Sequence, residues 1–314
     1  MRVAVLDDYQ RAAHRFADWS RLGAHEVTFF HEPLEDPAGV LGSFEIVCAM
    51  RERTSFPAEL LERLPGLRLL VTTGMRNASI DLDAAARLGV TVSGTEVAGS
   101  PTAELTWGLI LALLRWVPAE DRAMREGGWQ STVGVGLEGK TLGILGLGRL
   151  GSAVARVGEA FGMRLVAWSE NLTSERAAEC AAELVGKDEL LRTADVVTIH
   201  LVLSERTRGL VGAHELALMK TTAVLVNTSR GPIIDEAALV AAVESGTIAG
   251  AALDVYDREP LPVDHPLRRA PNTVLTPHLG YVTEGNYRVF FEQTVEAIEA
   301  FLAGSPVRVL SSAS

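Results

Sequence analysis

Cysteine is nearly absent from this chain. Cys48 and Cys180 are the only two in 314 residues, each in an apolar or alanine-rich setting. A disulfide framework needs several cysteines at framework spacings, and a cysteine metal centre needs clustered ligands. Neither is expected, no metal is expected, and a reducing cytosol fits best. Long hydrophobic runs are lacking too. The longest, Leu105 to Val117, is already interrupted by Arg115 and falls short of the roughly 20 apolar residues that span a bilayer. It reads as a buried helix. The opening segment MRVAVLDDYQ enters a strand pattern directly, without the apolar stretch of a secretory signal. Positive charge is also short: 29 Lys and Arg stand against 40 Asp and Glu, a formal charge of −11. That balance argues against a nucleic-acid-binding surface. It places no restriction on a small anionic substrate, because a single pocket arginine dominates its own surroundings. The expectation is a soluble, cytoplasmic protein with neither membrane nor nucleic acid as partner.

Glycine, by contrast, is placed with purpose. In Gly139 to Asn171 the sequence is GKTLGILGLGRLGSAVARVGEAFGMRLVAWSEN. A strand-like run (Thr141 to Leu145) leads into Gly146, Gly148 and Gly151. A helical pattern follows through Phe161, and a second strand-like run covers Arg164 to Trp168. The whole is a βαβ unit of about 30 residues, the context in which a G-x-G-x-x-G fingerprint carries weight. Gly146 permits the tight turn, Gly148 lets backbone approach a pyrophosphate, and Gly151 lets the helix lie close on the sheet. The N–H groups of Arg149 and Leu150 would face the phosphates, where the helix dipole favours negative charge. The expected ligand is a dinucleotide.

The length suggests two domains. Arg2–Leu6, Glu26–Phe30, Ile46–Met50, Leu67–Thr72 and Val90–Ser93 read as strands with helical segments between them, including Asp81–Leu88. Strands alternating with helices imply a parallel sheet covered on both faces. This first region has no glycine fingerprint and so reads as a separate α/β lobe. Ser100-Pro101 then announces a helix, serine as N-cap and proline at the first position, expected to run to about Arg125. After the fingerprint, Asp195–Leu201, Ala223–Asn227, Ala249–Val255 and Val274–Thr276 supply further strands. A helix is expected over Asp235–Glu244 and a last one over Tyr281–Leu302, before a strand-like PVRVL. The expected architecture is α/β with two doubly wound parallel-sheet lobes. A dinucleotide-binding domain over 97–284 is inserted into a smaller one made of 1–96 plus 285–314, and chemistry is expected at the carboxyl ends of the strands.

Three chemically useful residues follow predicted strands of the larger lobe: Arg230 in NTSRG, Glu259 in DVYDREP and His278 in TPHLG. Hydride transfer between a nicotinamide and a 2-hydroxy acid needs a proton acceptor for the hydroxyl. Histidine, with an ordinary pKa near ~6.5, suits that role. A neighbouring carboxylate orients the ring and stabilises its charged form. A guanidinium holds the substrate carboxylate by a bidentate pair and polarises the carbonyl.

With these residues in place, the chain resembles the D-isomer-specific 2-hydroxyacid dehydrogenases. The resemblance rests on GKTLGILGLGRLG, HLVLSERTRGLVG, LVNTSRGPIIDEAAL, GAALDVYDREPLP and LTPHLG, in family order and spacing. It implies a Rossmann dinucleotide-binding domain inserted into a flavodoxin-like substrate domain, NAD as cofactor, a small 2-hydroxy or 2-oxo acid as substrate, and usually a homodimer built through the nucleotide lobe and the helix after Ser100. Arg230 would bind the substrate carboxylate and carbonyl, His278 would be the acid/base and Glu259 its partner. Asp254 would hold the nicotinamide carboxamide. His200, Thr228 and Gly280 would lie on the cofactor side. Thr73, Gly74, Met75, Arg76 and Asn77 match the substrate loop, whose backbone N–H groups would receive the carboxylate, and Arg51 and Arg53 are candidates for facing the substrate.

This sequence departs from the family pattern in two places. Where the family commonly has an aspartate gripping the adenine ribose, this chain has Ser169 followed by Glu170. Loss of the aspartate leaves NADP open. Glu170 restores negative charge one residue on, and no arginine follows until Arg176, so NAD is the expectation. Tyr281 stands where small residues are more usual and would narrow or stack at the nicotinamide or substrate end. Relatives on this fold include co-repressors resembling C-terminal-binding proteins, which bind the nucleotide without catalysis. The compact chain, with no added partner-recruiting segment, favours the enzyme. Formate dehydrogenases carry glutamine where Glu259 stands, which counts against that branch.

Overall fold

A computed structural model describes residues 1–311. Residues 312–314, the polar tail expected to belong to the smaller lobe, lie outside the described residues. The chain divides into two compact units: Met1–Gly99 together with the chain from Val282 onward, and Ser100–Tyr281. The crossings therefore fall at 99/100 and 281/282 rather than at 96/97 and 284/285. The second has a local cause: Thr283 is the N-cap of the helix Glu284–Leu302 and its hydroxyl accepts from Asn286 N–H. That helix starts after Tyr281, not at it.

The first unit is a five-stranded sheet of β1 (Arg2–Val5), β2 (Glu26–Phe29), β3 (Ile46–Ala49), β4 (Leu69–Thr72) and β5 (Thr91–Gly94). Its order is β2-β1-β3-β4-β5, every pair parallel, which is the flavodoxin-like arrangement. β3 and β4 are buried at every position, as strands covered on both faces must be. The C-terminal PVRVL contributes a single antiparallel bridge, Val309 to Ser93 on β5.

The second unit holds seven parallel strands: β6 (Thr141–Leu145), β7 (Arg164–Trp168), β8 (Glu183–Leu184), β9 (Val196–Ile199), β10 (Val224–Asn227), β11 (Gly250–Leu253) and β12 (Thr273–Leu275). Their order, β12-β11-β10-β9-β6-β7-β8, is the doubly wound dinucleotide-binding order, with the switch point between β6 and β9. Period-two alternation distributes the strand residues over two cores. Val197, Ile199, Leu225, Ala251 and Leu253 pack into one. Val196, Val224, Val226 and Ala252 pack into the other. Both faces are thus apolar, and each fully buried Val or Leu contributes roughly 1.5–3 kcal/mol. Two-residue β8 is too short to show in the sequence pattern.

The helix after Ser100 is two helices. α1 spans Pro101–Leu114 and α2 spans Val117–Arg125, with Trp116 between them in the left-handed region at φ 56°. Pro118 is the cause: it has no N–H for the carbonyl of Leu114 four residues back, and its ring would clash there. Val135 N–H donates to that carbonyl instead, at 2.9 Å. Ser100 does occupy the N-cap position, but its hydroxyl makes no capping bond; it accepts from Arg149 at 3.1 Å. α1 is buried along Ala103, Trp107, Ile110 and Leu114, with the Trp107 indole N–H on the Val154 carbonyl at 3.2 Å. Among the described residues no helix is long and apolar enough to cross a membrane.

Candidate active site

The fingerprint folds as a phosphate-binding turn. Gly146 leaves β6 at φ +99°, and a Cβ on Gly151 would lie 2.1 Å from the Gly146 carbonyl oxygen. Only glycine at both positions lets the helix α3 (Arg149–Ala160) start so close to the strand. Its N-cap is Gly148, which supplies no capping side chain, so the first N–H groups have no partner within the helix. A Cβ on Gly148 would meet nothing within 4 Å. Uncapped N–H groups beside open space are what a pyrophosphate requires, so the residues present fit a dinucleotide. Ser169 is half-buried and Glu170 exposed just past β7. Arg176 is held by Glu179 at 2.6 Å and Ser152 at 2.9 Å.

Two side chains assigned to the cofactor are turned inward. The Thr228 hydroxyl bonds Thr106 of α1 at 2.8 Å. The His200 ring bonds Thr198 through Nε2 at 2.9 Å, and its Nδ1 is enclosed without a partner. Burial pushes the His200 pKa down to about 4, so the ring is neutral. Both side chains thus bond within the protein. Sequence spacing places such residues at a strand end but cannot say which way they point.

His278 and Glu259 are brought together past the ends of β12 and β11. His278 Nδ1 lies 2.5 Å from Glu259 Oε2, and their side chains are 18% and 31% exposed. Nδ1 being taken, Nε2 is the nitrogen available to a substrate. The other Glu259 oxygen accepts from Tyr256 N–H at 3.0 Å. Burial opposes the charge on Glu259, but the hydrogen bond and charge of His278, the Tyr256 N–H and the Arg230 charge outweigh it and hold the carboxyl below its ordinary range. Tyr281 meets the His278 ring edge-on, centroids 5.6 Å apart.

Arg230 follows β10, its Nη1 donating to the Ser229 carbonyl at 2.7 Å. Asn227, fully buried at the strand end, shapes this loop: its amide N–H donates to the Arg230 carbonyl at 2.9 Å and its oxygen accepts from Ser229 N–H at 2.9 Å. Asp254 is fully buried too. It accepts from Thr276 Oγ1, Leu279 N–H and Gly280 N–H at 2.6, 2.7 and 2.8 Å. Burial pushes its carboxyl above the ordinary range, although these bonds and the nearby His278 work against it. Gly280 is further fixed by Thr102, whose hydroxyl donates to its carbonyl at 3.0 Å. Asn227, Tyr256, Thr276 and Thr102 were not legible as site residues. The available signal was a polar residue closing an otherwise apolar strand, as in LVN and VLT.

In the first unit, the loop after β4 is built by its own side chains. Thr73 Oγ1 accepts from Arg51 N–H at 3.0 Å, and Arg51 Nη1 donates to the Thr73 carbonyl at 3.2 Å. Arg51 itself is left-handed, φ 53°, and its Nε pairs with Glu52 at 3.7 Å. Gly74 N–H donates to Thr95 Oγ1 at 2.8 Å. Met75 and Arg76, both exposed, are the loop's outward positions. Arg53 donates to the Asp7 carbonyl at 2.8 Å and lies over the Tyr9 ring.

Comparison with known proteins agrees with this geometry. Residues 107–280 match the model of the family described as D-isomer specific 2-hydroxyacid dehydrogenase, NAD binding domain. A glyoxylate reductase of Aeropyrum pernix is 44% identical over 256 residues, 78% of this chain and 76% of that protein. The crystal structure of a phosphoglycerate oxidoreductase from Vibrio cholerae superposes with a TM-score of 0.92 at 36% identity, covering 97% of this chain and 100% of the other. A D-lactate dehydrogenase from Aquifex aeolicus, solved with NAD and lactic acid, has a TM-score of 0.81 at 27% identity, covering 99% and 100%. The chain belongs to the D-isomer-specific 2-hydroxyacid dehydrogenases. It is an NAD-dependent oxidoreductase acting on the CH–OH group of 2-hydroxy acids.

Proposed function

We propose that this enzyme is a cytoplasmic, homodimeric reductase of small 2-oxo acids, glyoxylate foremost, with Arg230, Glu259 and His278 as its catalytic residues. The observation that carries the reading is the Glu259–His278 pair at 2.5 Å. Bound NADH supplies the hydride. Arg230 takes the substrate carboxylate and polarises its carbonyl through a planar fork of N–H donors. His278, hydrogen-bonded to Glu259 through Nδ1, gives its Nε2 proton to the carbonyl oxygen as negative charge develops there, and takes it back in the oxidative direction. Glyoxylate is named first because the 44%-identical Aeropyrum pernix relative bears that activity in its name. The dimer is supported by the arm beyond α2, where Trp129 and Val133 are 74% and 92% exposed.

The test is NADH and NADPH consumption with a panel running from glyoxylate and hydroxypyruvate through 3-phosphohydroxypyruvate to branched and aromatic 2-oxo acids. Turnover that favours NADH and disappears in His278→Ala is expected. Tight NADH binding without turnover across the panel would reject the reading.

A further inference from the structure

The stretch that carries Glu259 has little backbone structure of its own. From Asp257 to His265 it belongs to no helix or strand, and Pro260 and Pro262 have no N–H to donate. Side chains therefore set its course, and one carboxylate holds it at both ends. Glu236 Oε2 accepts from Asp257 N–H at 3.3 Å. Glu236 Oε1 lies 2.9 Å from His265 Nε2, the two side chains 16% and 21% exposed. The His265 tautomer follows from its other nitrogen. Nδ1 accepts from Leu267 N–H at 3.3 Å, so the proton is on Nε2, which donates to Glu236. Arg268 ties down the interior of the closed loop, with Nε on the Pro262 carbonyl at 2.8 Å and Nη2 on that of Leu261 at 2.7 Å.

We propose that Glu236 is a positioning residue for the reaction: by stapling Asp257 and His265 to the start of its helix, it fixes the loop that presents Glu259 to His278. This deepens the reading above and rests on that pair handling the proton. The anchor is firm. Glu236 opens the helix Glu236–Glu244, whose N-cap Asp235 accepts from Ala238 N–H, and a carboxylate in the first turn faces the positive end of the helix dipole. That helix continues the segment carrying Arg230, so the staple sets the Glu259 loop against the arginine. The chemistry also selects a carboxylate. Two donors converge on its two oxygens, whereas glutamine would accept one and set its own N–H against the other. Both nitrogens of His265 are engaged, while His278 keeps Nε2 for a substrate. The two carboxylate–imidazole pairs of this unit thus have different work, one bracing the loop on which the other depends.

The experiment compares Glu236→Gln, His265→Asn and the double variant with the unaltered protein. His265→Asn keeps an acceptor for Leu267 N–H, since asparagine caps well, but is too short to reach Glu236. The readouts are kcat and KM for glyoxylate, the melting temperature, and the downfield proton resonance of the His278 Nδ1–H···Glu259 hydrogen bond, assigned by its loss in Glu259→Gln. Misplacing a reacting group by about 1 Å costs on the order of a hundredfold. The loop is still held by Tyr256 N–H and Arg268 and should shift by less. Glu236→Gln should therefore lower kcat about tenfold, leave KM within about twofold and displace the resonance. His265→Asn should act in the same direction, and the double variant should resemble the stronger single one, because residues sharing one interaction are not additive. The proposal is overturned if in Glu236→Gln the resonance stays in place or kcat stays within about threefold of the original, whatever the melting temperature, or if the two single effects multiply in the double variant. Should Glu236→Gln fail to fold, His265→Asn decides by the same readouts. Should no 2-oxo acid be reduced, the functional reading fails, and the resonance alone decides whether the staple sets the pair.

Discussion

Replacing Gly231 by alanine is the sharpest test of how Arg230, the arginine proposed to bind substrate, is placed. Gly231 follows Arg230 directly, and a Cβ there would lie 2.0 Å from the Tyr256 carbonyl carbon, 2.2 Å from its oxygen and 2.6 Å from Asp257 N. Ordinary van der Waals contact begins at 3.4 Å, so one backbone must retreat by more than an ångström. Neither is a flexible side chain that can swing aside. The retreat moves Arg230 on one side, or on the other the segment in which Tyr256 N–H holds Glu259. Misplacing a reacting group by about 1 Å costs on the order of a hundredfold in rate, or about 2.7 kcal/mol of barrier. Strain from overpacking takes about 1–3 kcal/mol from stability. The phosphate turn at Gly146–Gly151 is a separate loop, so NADH affinity should stay within about twofold. The assay is steady-state reduction of glyoxylate, with NADH fluorescence titration and thermal melting as controls. A folded Gly231→Ala enzyme whose kcat/KM stays within about threefold of the original would refute the argument.

Other substitutions probe the remaining parts. Glu259 is ionised below the ordinary carboxyl range and stabilises the protonated partner on which reduction depends. The kcat/KM for reduction should therefore fall as pH rises through titration of the coupled pair, and Glu259→Gln should move that limb to lower pH by about one unit or more, given roughly 1.5–3 kcal/mol for a charged hydrogen bond. An unmoved pH–rate profile removes Glu259 from its role. Arg230→Lys replaces a planar fork by a point charge; turnover should drop about a hundredfold or more with NADH binding retained, and equal loss of both would speak against the assignment. Trp129→Asp with Val133→Asp should convert a dimer to monomer in light scattering, whereas an unchanged mass would place the interface elsewhere.

Much of this architecture is written in local pattern. Apart from two-residue β8, the strands of both sheets announce themselves, because parallel strands buried on two faces are continuous apolar runs, and the glycine fingerprint marks which unit binds the nucleotide. The fingerprint glycines, Arg230, Glu259 and His278 are legible because each stands just past such a run. Pro118 was equally legible: four residues after Leu114 it must stop a helix, and the apolar stripe masked it. Direction is another matter. That Thr228 and His200 turn inward, that Ser100 serves Arg149 rather than its own helix, and that Gly74 N–H is taken by Thr95 all depend on neighbours far away in sequence. Asn227, Tyr256 and Thr276 were missed for the same reason, since a hydroxyl or amide acquires a role only when the loop it braces is folded.

The Glu259–His278 pair proposed to handle the proton, and the residues from Asn227 to Tyr281 around it, lie within one compact unit. Glu259 and His278 are joined by a short stretch of chain and by neighbouring strand ends, so their geometry is inherited as a single block. In the proposed reading, a reaction centre inherited as one block is hard to lose while the rest of the chain diverges. Proteins named for glyoxylate, phosphoglycerate and lactate share this scaffold with the chain at identities of 44%, 36% and 27%.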